Sequence, residues 1–102
     1  MVVSVVGVVD VFESPTLEAQ LIELIADDQT QIIVDLTQVK LIDSSALGVL
    51  LGALKQTQGR GGTLRVVASS KSIIGQFELT GLSQIFSVFP TLDEALAAPL
   101  SN

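Results

Sequence analysis

Two rhythms of apolar residues run along the chain. Val2-Val3-Ser4-Val5-Val6-Gly7-Val8-Val9 is short, β-branched and nearly continuous in apolar character. Val is stiff at χ1 and packs well on a pleated surface, so the run predicts a central strand covered on both faces. Ser14-Pro15 then opens a helix, with Ser14 as the expected capping oxygen and Pro15 where a missing N–H costs nothing. Leu17, Leu21, Leu24 and Ile25 form one stripe of period 3.6, and Asp27-Asp28-Gln29 ends it. Gln31-Ile32-Ile33-Val34-Asp35-Leu36 predicts a second buried strand, followed by a loop from Thr37 to Ile42.

The second half repeats the alternation. Leu47, Leu50, Leu51 and Leu54 mark a helix that stops at Gly59-Arg60-Gly61-Gly62, where glycine gives access to positive φ. Thr63 to Ala68 predicts a third strand. Ser69-Ser70 caps a third helix carrying Ile73, Ile74, Phe77 and Leu79, closed by Gly81. A short strand follows around Ile85 to Phe89, and Thr91-x-x-Glu94 is a capping-box pattern opening a last helix that Pro99 ends. Strand and helix alternate four times. This order predicts one small α/β domain over residues 1–98, with a mixed, mostly parallel four-stranded sheet and right-handed crossovers. Residues 99–102 form a short C-terminal tail, expected to be frayed.

Composition narrows the chemistry. Apolar residues make up 48% of the 102 and aromatics only 4%, so the core has to be built from Val, Ile and Leu. There is no His and no Cys, which excludes a Ser-His-Asp triad, an imidazole base, a thiol nucleophile and a disulfide. A net charge of −6 repels phosphate backbones and anionic lipid, so neither nucleic acid nor a membrane surface is an expected partner. Met1 to Val9 lacks the basic n-region of a signal peptide, and its apolar run is far short of the ~20 residues of a membrane helix. The expected location is cytoplasmic.

One segment stands out for function: Asp43-Ser44-Ser45-Ala46-Leu47-Gly48, where a loop meets the first turn of a helix. Unpaired N–H groups and the positive end of the helix dipole lie there. A serine hydroxyl at this point fits a simple cap and an acceptor offered to a partner alike. A phosphate on it would sit against the positive helix end, so modification should leave the fold intact and change the surface a partner meets. Other candidates have plainer readings. Gly59-Arg60-Gly61-Gly62 suits a connector better than an anion site, Asp27-Asp28 a solvated helix end, and Asp93-Glu94 a favourable first turn. Phe77, Phe86 and Phe89 suit the core or its rim, whereas Phe12, in a loop beside Asp10, has the character of a partner anchor.

Asp35-Leu36 followed by Ile42-Asp43-Ser44-Ser45-Ala46-Leu47-Gly48 resembles the signature of the STAS domain family, the anti-sigma factor antagonists and the sulphate-transporter tails. Gly7-Val8-Val9-Asp10, the Gly59 to Gly62 turn and Phe77-x-x-x-Gly81-Leu82 resemble the same family in the expected order. The resemblance covers nearly the whole chain. It implies a protein that is not an enzyme and holds no cofactor or metal. Ser44 matches the serine that an anti-sigma-type serine kinase phosphorylates with ATP. Asp10 and Asp43 match acidic positions bordering the docking surface, and Ser45 matches the adjacent Ser or Thr. The unmodified form is then expected to bind the kinase and free a sigma factor, the phosphorylated form to let go, and a PP2C-type phosphatase to reset it.

Two departures carry expectations. The chain starts at what is the second strand in many members, so its sheet is expected to have an open edge suited to pairing with a partner or a second copy as a homodimer. Ala46 stands where glycine is more usual, which should stiffen the first turn, since Ala favours helix by up to ~1 kcal/mol over Gly. Beside the switch stands a non-switched adaptor or structural subunit of a sensory or transport assembly; it predicts that Ser44→Asp and Ser44→Ala bind equally well. A nucleotide hydrolase lacks a Walker-type loop and a general base.

Overall fold

Eight β-branched or small residues in a row form β1 (Val2–Val9), and the computed structural model, which describes residues 1–99, carries the predicted alternation through to the end. The elements that follow are α1 (Ser14–Ala26), β2 (Gln31–Ile42), α2 (Ser44–Gly59), β3 (Thr63–Val67), α3 (Lys71–Leu79), a 3-10 turn (Leu82–Gln84), β4 (Ser87–Phe89) and α4 (Leu92–Ala97). The strands lie in the order β1-β2-β3-β4 and all three pairings are parallel. The expected mixed sheet is thus wholly parallel among the described residues. The tail Leu100-Ser101-Asn102 lies outside them.

Successive strand residues face opposite sides, and the two sides are covered unequally. Val34 and Val66 belong to the main core with Leu21, Leu50, Ile73 and Phe77. Their neighbours Ile33 and Val67 face the other way and meet only Ala95, Leu92 and Phe89 beneath α4. This overturns the reading of β1 as a central strand. Among the described residues it is an edge strand with β2 as its one neighbour, and α4 packs on β2, β3 and β4. Val6 and Val8 are therefore 68% and 44% exposed, while Val3 and Val9 on the other side are buried.

The expected loop from Thr37 to Ile42 is also strand. Val2 pairs with Ile33 and Val9 with Ile42, so seven steps of β1 face nine of β2. The pairing shifts between Ser4 and Val6 and again between Gly7 and Val8, which marks two bulges on β2. Across this stretch Leu36, Val39 and Ile42 are buried at every third position instead of every second. Gly7, at the second shift, has φ +85°, a left-handed conformation that costs glycine little.

Smaller differences have equally local causes. Ser14 does not cap α1; it is buried, and its N–H bonds the Asp10 carbonyl at 2.8 Å. Leu79 points outward because, at about 100° per residue, it falls on the face of α3 opposite the buried Ile73 and Phe77. Gly62 is required by a close approach: a Cβ there would lie 2.1 Å from the Thr30 carbonyl oxygen. Phe77 and Phe86 meet edge to face at 5.5 Å in the core, as expected. Arg60 and Asp28, each considered separately in the sequence, are partners at 3.3 Å, and Arg60 also donates to the Ile25 carbonyl at the end of α1.

Arg65 is a charged residue among those that are buried, which composition does not foretell. It lies buried on β3, and its guanidinium donates to the carbonyls of Ala95 (2.9 Å), Ala98 (3.1 Å) and Pro99.

Candidate functional site

In a wholly parallel sheet every strand ends on the same side, and the loops leaving β1 and β2 are neighbours there. The Asp43 N–H bonds the Val9 carbonyl at 3.2 Å, which ties the start of α2 to the end of β1. Asp10, Phe12, Asp43, Ser44 and Ser45 therefore share one end of the molecule.

Asp10 is spent largely on its own turn. Its Oδ1 accepts the N–H groups of Phe12 (3.0 Å) and Glu13 (3.2 Å), an Asx turn that leads the chain into α1. Phe12 projects from that turn 84% exposed, with Val11 beside it at 59%. Val11 was not foreseen as part of the site; an apolar pair ahead of an Asx-turned helix entry is the signal that marks it.

The cap of α2 is Asp43, not a serine. Its Oδ1 accepts the N–H groups of Ser45 (2.9 Å) and Ala46 (3.2 Å) and the Ser45 hydroxyl. Asp ranks with Ser as an N-cap, and the residue immediately before the helix takes the position. Ser45 is half-buried and held by this bond. Ser44 is exposed, and its hydroxyl has no hydrogen-bond partner among the described residues.

The Ser45 hydroxyl, foremost, holds the Asp43 carboxyl below the usual carboxylate range. The N–H groups of Ala46, Ser45 and Val11 add to this, against the opposing effect of partial burial. The folded state thus binds this proton more weakly than the unfolded chain does. The cap's contribution is complete above the ordinary carboxylate pKa and is lost as pH falls through the depressed folded value. Thermal melts from pH 6 to 2 should show the parent losing stability below pH ~4 more steeply than Asp43→Asn, which keeps an acceptor that does not titrate. Parallel curves would remove Asp43 from the acid transition.

A hollow of about 800 Å³ opens at the far end of β1 between Val2, Ser4 and the α1 residues Gln20 and Glu23. Among the described residues no group of three His, Cys, Asp or Glu side chains could hold a metal ion. No helix among them is long and apolar enough to cross a membrane.

The family model for the STAS domain matches residues 1–95. The chain belongs to the STAS domain family. This STAS domain is 33% identical to the anti-sigma-B factor antagonist of Bacillus subtilis over 86 residues, 84% of this chain and 78% of that protein. It is 32% identical to a solved anti-sigma factor antagonist from Mycobacterium paratuberculosis, with a TM-score of 0.83 over 93% of this chain and 80% of that one. The Bacillus cell fate determinant SpoIIAA in its phosphorylated form shares the fold, with a TM-score of 0.72 at 23% identity over 93% of this chain and 86% of that one.

Proposed function

We propose that this STAS domain is an anti-sigma factor antagonist switched by phosphorylation on Ser44. The observation that carries the reading is the free, exposed Ser44 hydroxyl at the first turn of α2, beside the turn bearing Val11 and Phe12. A fold relative known in a phosphorylated form supports it. The unmodified face, with Asp10, Phe12, Asp43, Ser44 and Ser45, docks on an anti-sigma-type serine kinase and frees a sigma factor. Phosphate on Ser44 brings like charge and a desolvation cost into that contact and breaks it. A PP2C-type phosphatase restores binding. The domain supplies the acceptor and the surface; the kinase supplies ATP and the chemistry, in the cytoplasm.

Incubation with the cognate kinase and ATP, followed by mass analysis of the peptides, tests the assignment. Phosphate is expected on Ser44 and absent from the Ser44→Ala protein. Phosphate elsewhere, or an unchanged rate on Ser44→Ala, would sink it.

The outer edge of β1 has no strand paired to it among the described residues, and Val2–Val9 carries no charge or proline to discourage pairing. Two copies are expected to associate through it at high concentration. Light scattering over a dilution series checks this; a constant monomer mass argues against it.

A further inference from the structure

We infer that Asp43 selects which of two adjacent serines receives the phosphate, by holding the Ser45 hydroxyl and leaving that of Ser44 free. The inference rests on the switched reading above and deepens it. Two hydroxyls stand side by side at the start of α2, and a kinase that reaches one has the other within a residue's length. The Asp43 carboxylate treats them differently. Its Oδ1 accepts hydrogen bonds from the Ser45 hydroxyl and from the backbone N–H groups of Ser45 and Ala46. Ser45 is thereby fixed at two points, its hydroxyl and its N–H, and is half-buried with its oxygen turned toward a carboxylate. Ser44 precedes this arrangement, is exposed and has no bond to break.

The reaction makes this difference count. In phosphoryl transfer a serine Oγ bonds to the γ-phosphorus of ATP while the bond from that phosphorus to the β,γ-bridging oxygen breaks. ADP leaves and the hydroxyl proton passes to a base of the kinase. For Ser45 the hydroxyl must first leave a charge-assisted bond, among the stronger hydrogen bonds a protein makes. The incoming phosphoryl oxygens would then meet the Asp43 carboxylate at close range. Asp43 is also a poor substitute base, since its neighbours stabilise the ionised form. Ser44 has no such bond to leave.

The readout is the ratio of phosphate on Ser44 to phosphate on Ser45, measured by fragment mass spectrometry after reaction with the cognate kinase and ATP. A ratio within each molecule is insensitive to how tightly the kinase docks, so it separates selection from a general loss of binding. In the parent the phosphate is expected on Ser44. In Asp43→Ala the ratio should fall by about tenfold or more, the factor that a lost hydrogen bond to a charged group is worth. Asp43→Asn, which keeps an Oδ1 acceptor, should retain the Ser44 preference. Phosphate on Ser44 of the parent with an unmoved ratio in Asp43→Ala overturns the selection alone. No phosphate on either serine of the parent overturns the switched reading and the selection with it. A measurement without kinase stands beside it: by NMR the Ser45 hydroxyl proton should exchange more slowly than that of Ser44 in the parent and lose this protection in Asp43→Ala. Equal exchange of the two hydroxyls in the parent overturns the inference.

Discussion

The Ser44→Asp protein should bind the anti-sigma-type partner about 100-fold or more weakly than the parent, because a like charge placed inside an interface costs several kcal/mol and each 1.4 kcal/mol is a factor of ten. Ser44→Ala should bind as the parent does and should stay bound when kinase and ATP are present. Both variants should melt near the parent's temperature, since Asp43 and not Ser44 caps α2 and the negative charge meets the positive helix end. The aspartate carries less charge than a phosphate, so the phosphorylated protein should lose still more affinity. Titration calorimetry of the three forms settles the matter. Equal affinity of Ser44→Asp and Ser44→Ala would leave the non-switched adaptor as the better account.

The largest stability effect is expected at Phe77. It is fully buried, and its ring meets Phe86 edge to face at 5.5 Å and 82°. Phe77→Ala removes that contact and leaves a cavity bounded by α3, β2 and the 3-10 turn, at a cost of about 3–5 kcal/mol. A domain of this size has only ~5–15 kcal/mol in total, and each kcal/mol lowers its melting temperature by roughly 4–8 °C. Phe12→Ala provides the contrast. Its ring is 84% exposed, so the change in stability should stay within ~0.5 kcal/mol while partner binding weakens. Urea denaturation of both variants checks the pair. A Phe12→Ala protein as unstable as Phe77→Ala would place the Phe12 ring in a core rather than on a docking surface.

The alternation of strands and helices was legible because each helix carries its stripe at period 3.6 and each buried strand is a short β-branched run. What misled was the middle of β2. Two bulges put Leu36, Val39 and Ile42 on one face at a spacing of three, which matches neither the strand rhythm nor the helical one. The exposure of Val6 and Val8 was hidden for a different reason. A run of valines looks the same whether one face or both are covered, and only the strand order decides. At the site, the residues were legible through their resemblance to the STAS signature, whereas their bonding was not. Asp10 and Asp43 both look like surface acids in the sequence; in the structure one folds a turn and the other caps a helix.

Arg65 ties the end of the chain to the middle of the sheet. Its guanidinium is buried on β3, yet its acceptors are carbonyls of Ala95, Ala98 and Pro99, about thirty residues later. What buries the charge is therefore also what answers it: the helix that shuts water out brings the carbonyls with it, so the guanidinium is never left both dry and unpaired. Were α4 to lift away, the arginine would return to water while Ile33 and Val67 lost their cover, so the cost of opening that face falls on the apolar pair and not on the charge.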